Sequence, residues 1–218
     1  MERRGTSSLK VSEVFHSLQG EASRVGLPTV FVRLAGCPLR CVWCDTAYAF
    51  TGGRRMTLAA ILDVVSGYGT KEVCVTGGEP LAQKNCLPLL AALCDAGHDV
   101  SLETSGALDV SGVDPRVSRI IDLKAPGSGE SRRNRWQNLS LLTARDEIKF
   151  VLADRADYEW ARQTVAERHL ERRCPILFSP VPDTLAPRDL AEWILADRLP
   201  VRFQLQLHKR LWGNMRGK

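Results

Sequence analysis

Three cysteines stand four and three positions apart in Gly36-Cys37-Pro38-Leu39-Arg40-Cys41-Val42-Trp43-Cys44-Asp45-Thr46, directly after the apolar run Val30-Phe31-Val32-Arg33-Leu34. That spacing lets Cys37, Cys41 and Cys44 turn their thiolates toward one metal centre, and no fourth cysteine lies nearby. Four-iron clusters held by thiolates ordinarily use four ligands, and structural zinc sites also close at four. Three ligands therefore leave one corner open, which is where a metal does chemistry. The alternative is a structural zinc knuckle that recruits a distant histidine, such as His16, as its fourth ligand. A second stretch, Thr76-Gly77-Gly78-Glu79-Pro80, follows the strand-like Glu72 to Val75. Glycine has no Cβ, so backbone there can approach a ligand closely, although a tight turn would use the same residues. Glu79 offers a carboxylate to an ammonium group, or an acceptor to a neighbouring backbone amide.

These residues need elements to hold them. Leu9 to Phe15 reads as an extended segment, and Thr29 to Leu34, β-branched and aromatic, as a buried strand. Thr57 to Val65 has helical periodicity with Thr57 as N-cap. A helix from about Asn85 to Ala96 stops at Gly97. Further strands are expected at Glu72–Val75, Val100–Glu103, Arg119–Lys124, Glu147–Val151, Pro175–Ser179 and Val201–Gln206. Trp136–Leu142, Tyr158–His169 and Arg188–Ala196 read as helices. Strands alternating with helices imply right-handed βαβ units around a parallel sheet. The fold class is therefore α/β, a partial (βα)6-type, TIM-like barrel over a single domain, 1–218. In such barrels the working groups gather at the carboxyl ends of the strands. The cysteines, Gly77-Gly78, Glu103, Asp122, Lys124, Lys149 and Ser179 all fall at such ends, so one rim is expected to carry one site. The polar stretch from Gly127 to Arg135 is either a mobile flap over that rim or an idle surface loop.

Composition narrows the function classes. At 218 residues with 44% hydrophobic and 25% charged side chains, the chain can bury a core of ordinary size. Seven cysteines, an odd number, point to ligand use in the reducing cytoplasm rather than to a disulfide framework. Cys74, Cys86, Cys94 and Cys174 sit singly in apolar surroundings and read as small buried hydrophobes. The amino terminus has no apolar run of the secretory kind, and no segment is apolar for long enough to span a bilayer. A net charge of +5 is modest. The clusters Arg132-Arg133-Asn134-Arg135 and Arg168 with Arg172-Arg173 lack interleaved aromatics and read as solvated faces, not a nucleic-acid surface.

Taken together, the cysteine loop and Gly77-Gly78-Glu79-Pro80 resemble the radical S-adenosylmethionine superfamily, and Trp43, just before the last cysteine, fits as well. The resemblance implies a 4Fe–4S cluster whose open iron chelates S-adenosylmethionine, with an electron delivered to the sulfonium to release a 5′-deoxyadenosyl radical. Within that superfamily, Glu13 to Glu21, Phe31 to Cys37, Cys44-Asp45-Thr46 and Gln206-Leu207-His208-Lys209 are similar to the 7-carboxy-7-deazaguanine synthase family. Asp122 to Glu130 and Asp146 to Val151 resemble one branch of it. The likeness runs from about Val11 to Trp212. It implies a ring-contracting lyase of queuosine and 7-deazapurine biosynthesis that turns 6-carboxy-5,6,7,8-tetrahydropterin into 7-carboxy-7-deazaguanine and ammonia.

Carried over motif by motif, the likeness assigns Leu18, Gln19, Gly20, Arg33, Thr76 and His208 to the pterin. Arg33 would meet its carboxylate through a planar fork, and His208 would reach it from the last strand. Trp43, Cys44, Asp45, Gly78, Asp122, Leu123, Lys124 and Ser179 would contact S-adenosylmethionine, and Thr46 would ligate Mg²⁺. The same likeness implies an electron donor such as flavodoxin or ferredoxin and a homodimer, with no nucleic-acid or membrane partner. Ser179-Pro180 and Glu103-Thr104-Ser105-Gly106 depart from relatives that have Gln-Pro and Glu-Thr-Asn-Gly. Two rivals share some of these features: a glycyl-radical-enzyme activase, which needs neither Arg33 nor His208 for a small carboxylate, and a zinc-stapled RNA-binding module.

Overall fold

A computed structural model describes residues 7–218. Met1 to Thr6, most of the charged amino-terminal stretch and the start of the expected domain, lie outside the described residues. One sheet of nine strands organises the rest. Strand β1 (Ser8–Leu18) pairs antiparallel with β2 (Pro28–Leu34) and with the short β3 (Arg54–Thr57). From β2 onward the order is β4 (Glu72–Gly77), β5 (Asp99–Thr104), β6 (Ser118–Asp122), β7 (Glu147–Leu152), β8 (Ile176–Pro180) and β9 (Arg202–Phe203), every pair parallel. The sheet is open, and its parallel part is the expected partial barrel.

Period two sorts the strands. Val30, Val32, Leu34, Val73, Val75, Ile148, Phe150, Ile176 and Phe178 join one apolar core with the helices. The alternate positions face the interior of the barrel, where Arg33 lies opposite Thr76 and Asp122 opposite Lys149. Helix α1 (Leu58–Gly67) starts where Thr57 Oγ1 accepts the Ala60 amide at 3.2 Å. Helix α2 (Cys86–Asp95) ends before Gly97, whose φ of +87° supplies the left-handed turn. Helix α3 (Arg155–Arg168) is capped by Asp154 and α4 (Pro187–Ala196) opens on proline.

The alternation fails at two crossovers. No α-helix joins β5 to β6 or β6 to β7; the second connection is made of short 3-10 turns, among them Trp136–Leu141. Val110, Val113, Val117 and Leu139 fill the helix positions from these irregular segments. The expected strand Val201–Gln206 is only β9, because the chain turns into an unforeseen helix α5 (Leu207–Trp212). Residues 127–135 are pinned: Asn134 exchanges two 2.9 Å hydrogen bonds with the Lys124 backbone, and Gly127 N–H donates to Asp157 Oδ1 at 2.8 Å. Cys74, Cys86 and Cys174 are buried as expected, Cys94 half so. Arg132, Arg133, Arg168, Arg172 and Arg173 are exposed. Among the described residues no helix is long and apolar enough to cross a membrane.

Candidate active site

A cavity of about 910 Å³ opens inside the partial barrel. At its rim the cysteine loop leaves β2 with Cys37, Cys41, Trp43, Cys44, Asp45 and Thr46 in the lining, beside Gly78, Asp122 and Lys124 from the ends of β4 and β6. The floor comes from the opposite direction. Leu18 is the last residue of β1 and pairs with Pro28 at the amino end of β2, so the 19–27 loop tucks under the barrel. Arg24 there pairs with Glu72 and donates to Asp99 O at 3.0 Å, while Ser23 N–H meets the Glu147 carboxylate. The upper surface of this plug, Gln19-Gly20-Glu21, lines the cavity. The expectation of a site on one rim is thus corrected: the site has a rim and a floor from opposite ends of the sheet.

Several details favour a cluster and a chelating ligand. The three thiols are soft donors, and burial pushes the thiols of Cys37 and Cys41 up, the latter to about 11. Such thiols give up protons to a strongly cationic centre. Among the described residues no three His, Cys, Asp or Glu side chains gather round one point as a single ion requires. A cubane asks for a different arrangement, since each thiolate takes its own iron. His16, the fourth ligand of the zinc alternative, instead hydrogen-bonds Thr70 at 3.0 Å and lies against Tyr68 outside the cavity lining. A Cβ on Gly78 would strike Gly36 O and stand 2.7 Å from Cys37 Cβ, so only glycine lets this turn lie beside the cysteines. Asp122 Oδ1 is buried with no hydrogen-bond partner, although Oδ2 meets Lys124 Nζ at 3.0 Å and Lys149 Nζ at 3.4 Å. Thr46 stands at the N-cap position of the turn Ala47–Ala49 without capping it, its hydroxyl 3.9 Å from Cys44 Sγ.

Between plug and rim, Gln19 Nε2 donates to Glu103 Oε1 at 3.3 Å and Thr76 Oγ1 to Glu103 Oε2 at 3.1 Å. Arg33 gives Nε–H to Glu13 Oε1 at 2.8 Å, with Tyr48 O–H on the same oxygen. Among the described residues no acceptor meets its terminal nitrogens. His208 belongs to α5, not to the last strand; it covers Gly20 so closely that a Cβ there would overlap Nδ1, and its Nε2 is 4.0 Å from Asp45.

Three expected residues stand elsewhere. Leu123 is buried in the apolar core and does not line the cavity, since alternation turns it away from Asp122 and Lys124. Ser179 is wholly buried, its hydroxyl without a partner, and is likewise absent from the lining. Glu79 takes hydrogen bonds from the Leu81 and Ser105 amides and from the Thr104 and Ser105 hydroxyls. It is a buried strut, not a receptor for an ammonium group. Conversely, Glu21, Glu103, Lys149 and Gln206 line the cavity without having been given roles. Lys149 pairs with Glu21, whose other oxygen accepts from Gln206 at 2.5 Å. Burial works against ionising Glu21, but Lys149 and Gln206 hold its carboxyl down at about 2. A charge inside an apolar strand, as in Ile148-Lys149-Phe150, was the available signal.

The radical SAM superfamily model matches residues 31–172. A 7-carboxy-7-deazaguanine synthase of Chlorobaculum tepidum is 50% identical over 208 residues, covering 94% of each chain. The chain belongs to the 7-carboxy-7-deazaguanine synthase family of radical SAM enzymes. A synthase of Koribacter versatilis is 42% identical, with 94% of this chain and 97% of that one covered. The crystal structure of QueE from Escherichia coli superposes with a TM-score of 0.76 at 26% identity, covering 92% and 95%. Membership in the radical SAM superfamily brings with it a 4Fe–4S cluster and S-adenosylmethionine, and the thiols, the Gly78 turn and Asp122 suit both.

Proposed function

We infer that this radical SAM lyase converts 6-carboxy-5,6,7,8-tetrahydropterin to 7-carboxy-7-deazaguanine and ammonia. The observation that carries this reading is a single cavity joining three cysteines at the rim to Arg33, Gln19 and His208 below them. When bound, the cluster and S-adenosylmethionine supply an organic radical that takes hydrogen from carbon. The chain's own part is to bind, orient and shield. Cys37, Cys41 and Cys44 would hold the cluster, and Trp43, Asp45, Gly78, Asp122 and Lys124 the S-adenosylmethionine. Arg33 keeps Nε on Glu13 and has its terminal N–H groups left for the pterin carboxylate, a charge-assisted pair inside a partly dry site. Leu18, Gln19, Gly20, Thr76 and His208 would frame the ring. Thr46, with a hydroxyl not spent on capping, would ligate Mg²⁺ alongside ligand oxygens and water.

The proposal extends to a homodimer, to an electron donor such as flavodoxin or ferredoxin, to a cytoplasmic setting and to one domain over 1–218. An activase that acts on a protein loop gives no reason for a half-buried arginine with free terminal nitrogens in the cavity. The test is direct: anaerobic, reconstituted and reduced protein is incubated with S-adenosylmethionine and the carboxytetrahydropterin. Brown colour and a product with the mass and spectrum of 7-carboxy-7-deazaguanine are expected; a brown protein that consumes no pterin removes the assignment.

A further inference from the structure

The stretch Pro38 to Trp43 carries the middle thiol and has no regular secondary structure. Among the described residues, only two of its amides reach another part of the chain. Arg40 N–H donates to Glu130 Oε1 at 2.5 Å, and Val42 N–H donates to Ser128 O at 3.0 Å. They stand on either side of Cys41. Both acceptors belong to the segment after β6, which is fastened at both ends: Gly127 to the buried Asp157 of α3, and Asn134 to both backbone groups of Lys124. Inside it, Ser128 Oγ donates to Ala125 O at 2.6 Å and accepts the Glu130 amide at 3.2 Å. Ser128 is fully buried, so its carbonyl is a fixed point. One acceptor is a fixed, buried carbonyl and the other a half-buried carboxylate at the protein surface, and with no other external backbone bonds on this stretch the two set its position.

We propose that residues 126–134 are a strap that holds the cysteine loop in register, and that Glu130 is the positioning residue for Cys41. The inference rests on the reading of Cys41 as a cluster ligand. A carboxylate accepting a backbone amide is a charge-assisted bond, stronger than a neutral one. Its loss frees one side of Cys41 while the Ser128 carbonyl still holds the other.

Hydrogen exchange on the cluster-free chain reads the contact without turnover. Glu130→Ala is expected to speed exchange at Arg40 about tenfold or more, whereas Glu130→Gln, which keeps an acceptor oxygen, stays within about threefold of wild type. The Lys124–Asn134 amides stay protected in both, showing the strap folded. Iron retained per chain after anaerobic reconstitution should fall in the order wild type, Gln, Ala. Unchanged exchange at Arg40 in Glu130→Ala overturns the proposal, as does equal loosening of Lys124 and Asn134 in both variants. If Glu130→Ala does not fold, Glu130→Asp, one methylene shorter, is read the same way. Exchange in the expected order in a chain that takes up no cluster would support the strap while failing the enzymatic reading.

Discussion

Arg33 sits between Val32 and Leu34, with its side chain about 14% exposed and its Nε committed to Glu13. The Phe15 and Tyr48 rings lie 5.6 and 6.0 Å from the guanidinium carbon, so the head is held by aromatic faces as well as by charge. That geometry separates the nitrogens of one side chain: one anchors on Glu13, and the two terminal ones are left free for the proposed carboxylate. Lysine has one ammonium on a flexible stem and cannot do both. Arg33→Lys is therefore expected to raise KM for the carboxytetrahydropterin by about tenfold or more, the scale of one lost charge-assisted hydrogen bond, with a smaller change in kcat. Steady-state kinetics on reconstituted protein checks this, and an unaltered KM would remove Arg33 from substrate binding. Legibility at this scale depended on environment. An arginine within Val32 to Leu34 announced a need for an anion, and Glu79 an acceptor role toward a nearby amide that Leu81 N–H fills, while Ser179, just before a proline, gave no hint of being wholly buried. Nothing local to Glu79 foretells that Thr104 and Ser105, a βα unit away, would claim its carboxylate.

At the scale of elements, the turn after β4 decides how closely the glycine motif approaches the cysteines. Gly78 N–H donates to Leu34 O at 3.1 Å and Glu79 N–H to Gly36 O at 2.8 Å, so the turn is zipped onto the start of the cysteine loop. Gly78→Ala puts a methyl group into that seam. Relaxing it moves backbone instead of a flexible side-chain tip, and overpacking of this kind costs about 1–3 kcal/mol. The expected outcome is a lower midpoint in thermal unfolding of the cluster-free chain together with reduced iron per chain. A variant with wild-type midpoint and iron content would show the seam to be slack. The motif was legible because close backbone approach has a signature, glycine after a strand. Its neighbours were less so. Helix α5 hides in Gln206-Leu207-His208-Lys209, where a run of β-formers from Val201 suggested strand, and tertiary capture of Leu207 N–H by Gly20 O turns the chain. The crossover from β5 to β6 is cut up by Gly106, Gly112 and Pro115, residues that interrupt helical backbone, whereas the expected helix Trp136–Leu142 contains neither glycine nor proline and closes only as a 3-10 turn.

For the whole molecule, an open sheet must be closed by something other than strand pairing, and the 19–27 loop does this. Gln204 exchanges hydrogen bonds of 2.8 and 3.0 Å with the Ala22 backbone, tying the far edge of the sheet to the plug. Above it Lys149 joins Glu21 of the plug to Asp122 of the rim, with both side chains of the Lys149–Glu21 pair under a tenth exposed. Removing one member of a buried pair leaves the other charged and alone, at a cost of about 3–5 kcal/mol. Lys149→Met is expected to lose that much in urea unfolding at neutral pH, and the double variant Glu21→Gln with Lys149→Met to lose less. The pH dependence has a definite sign. Glu21 falls from an ordinary 4.5 to about 2 in the folded chain, so its contribution is full above 4.5 and drains away as pH drops from there through about 2. Wild-type protein should therefore lose stability over that window more steeply than Glu21→Gln, which carries no proton to gain. Parallel acid-unfolding curves for the two would mean that Glu21 is not ionised against Lys149, and that the barrel is closed by the Gln204–Ala22 bonds without the help of the ion pair.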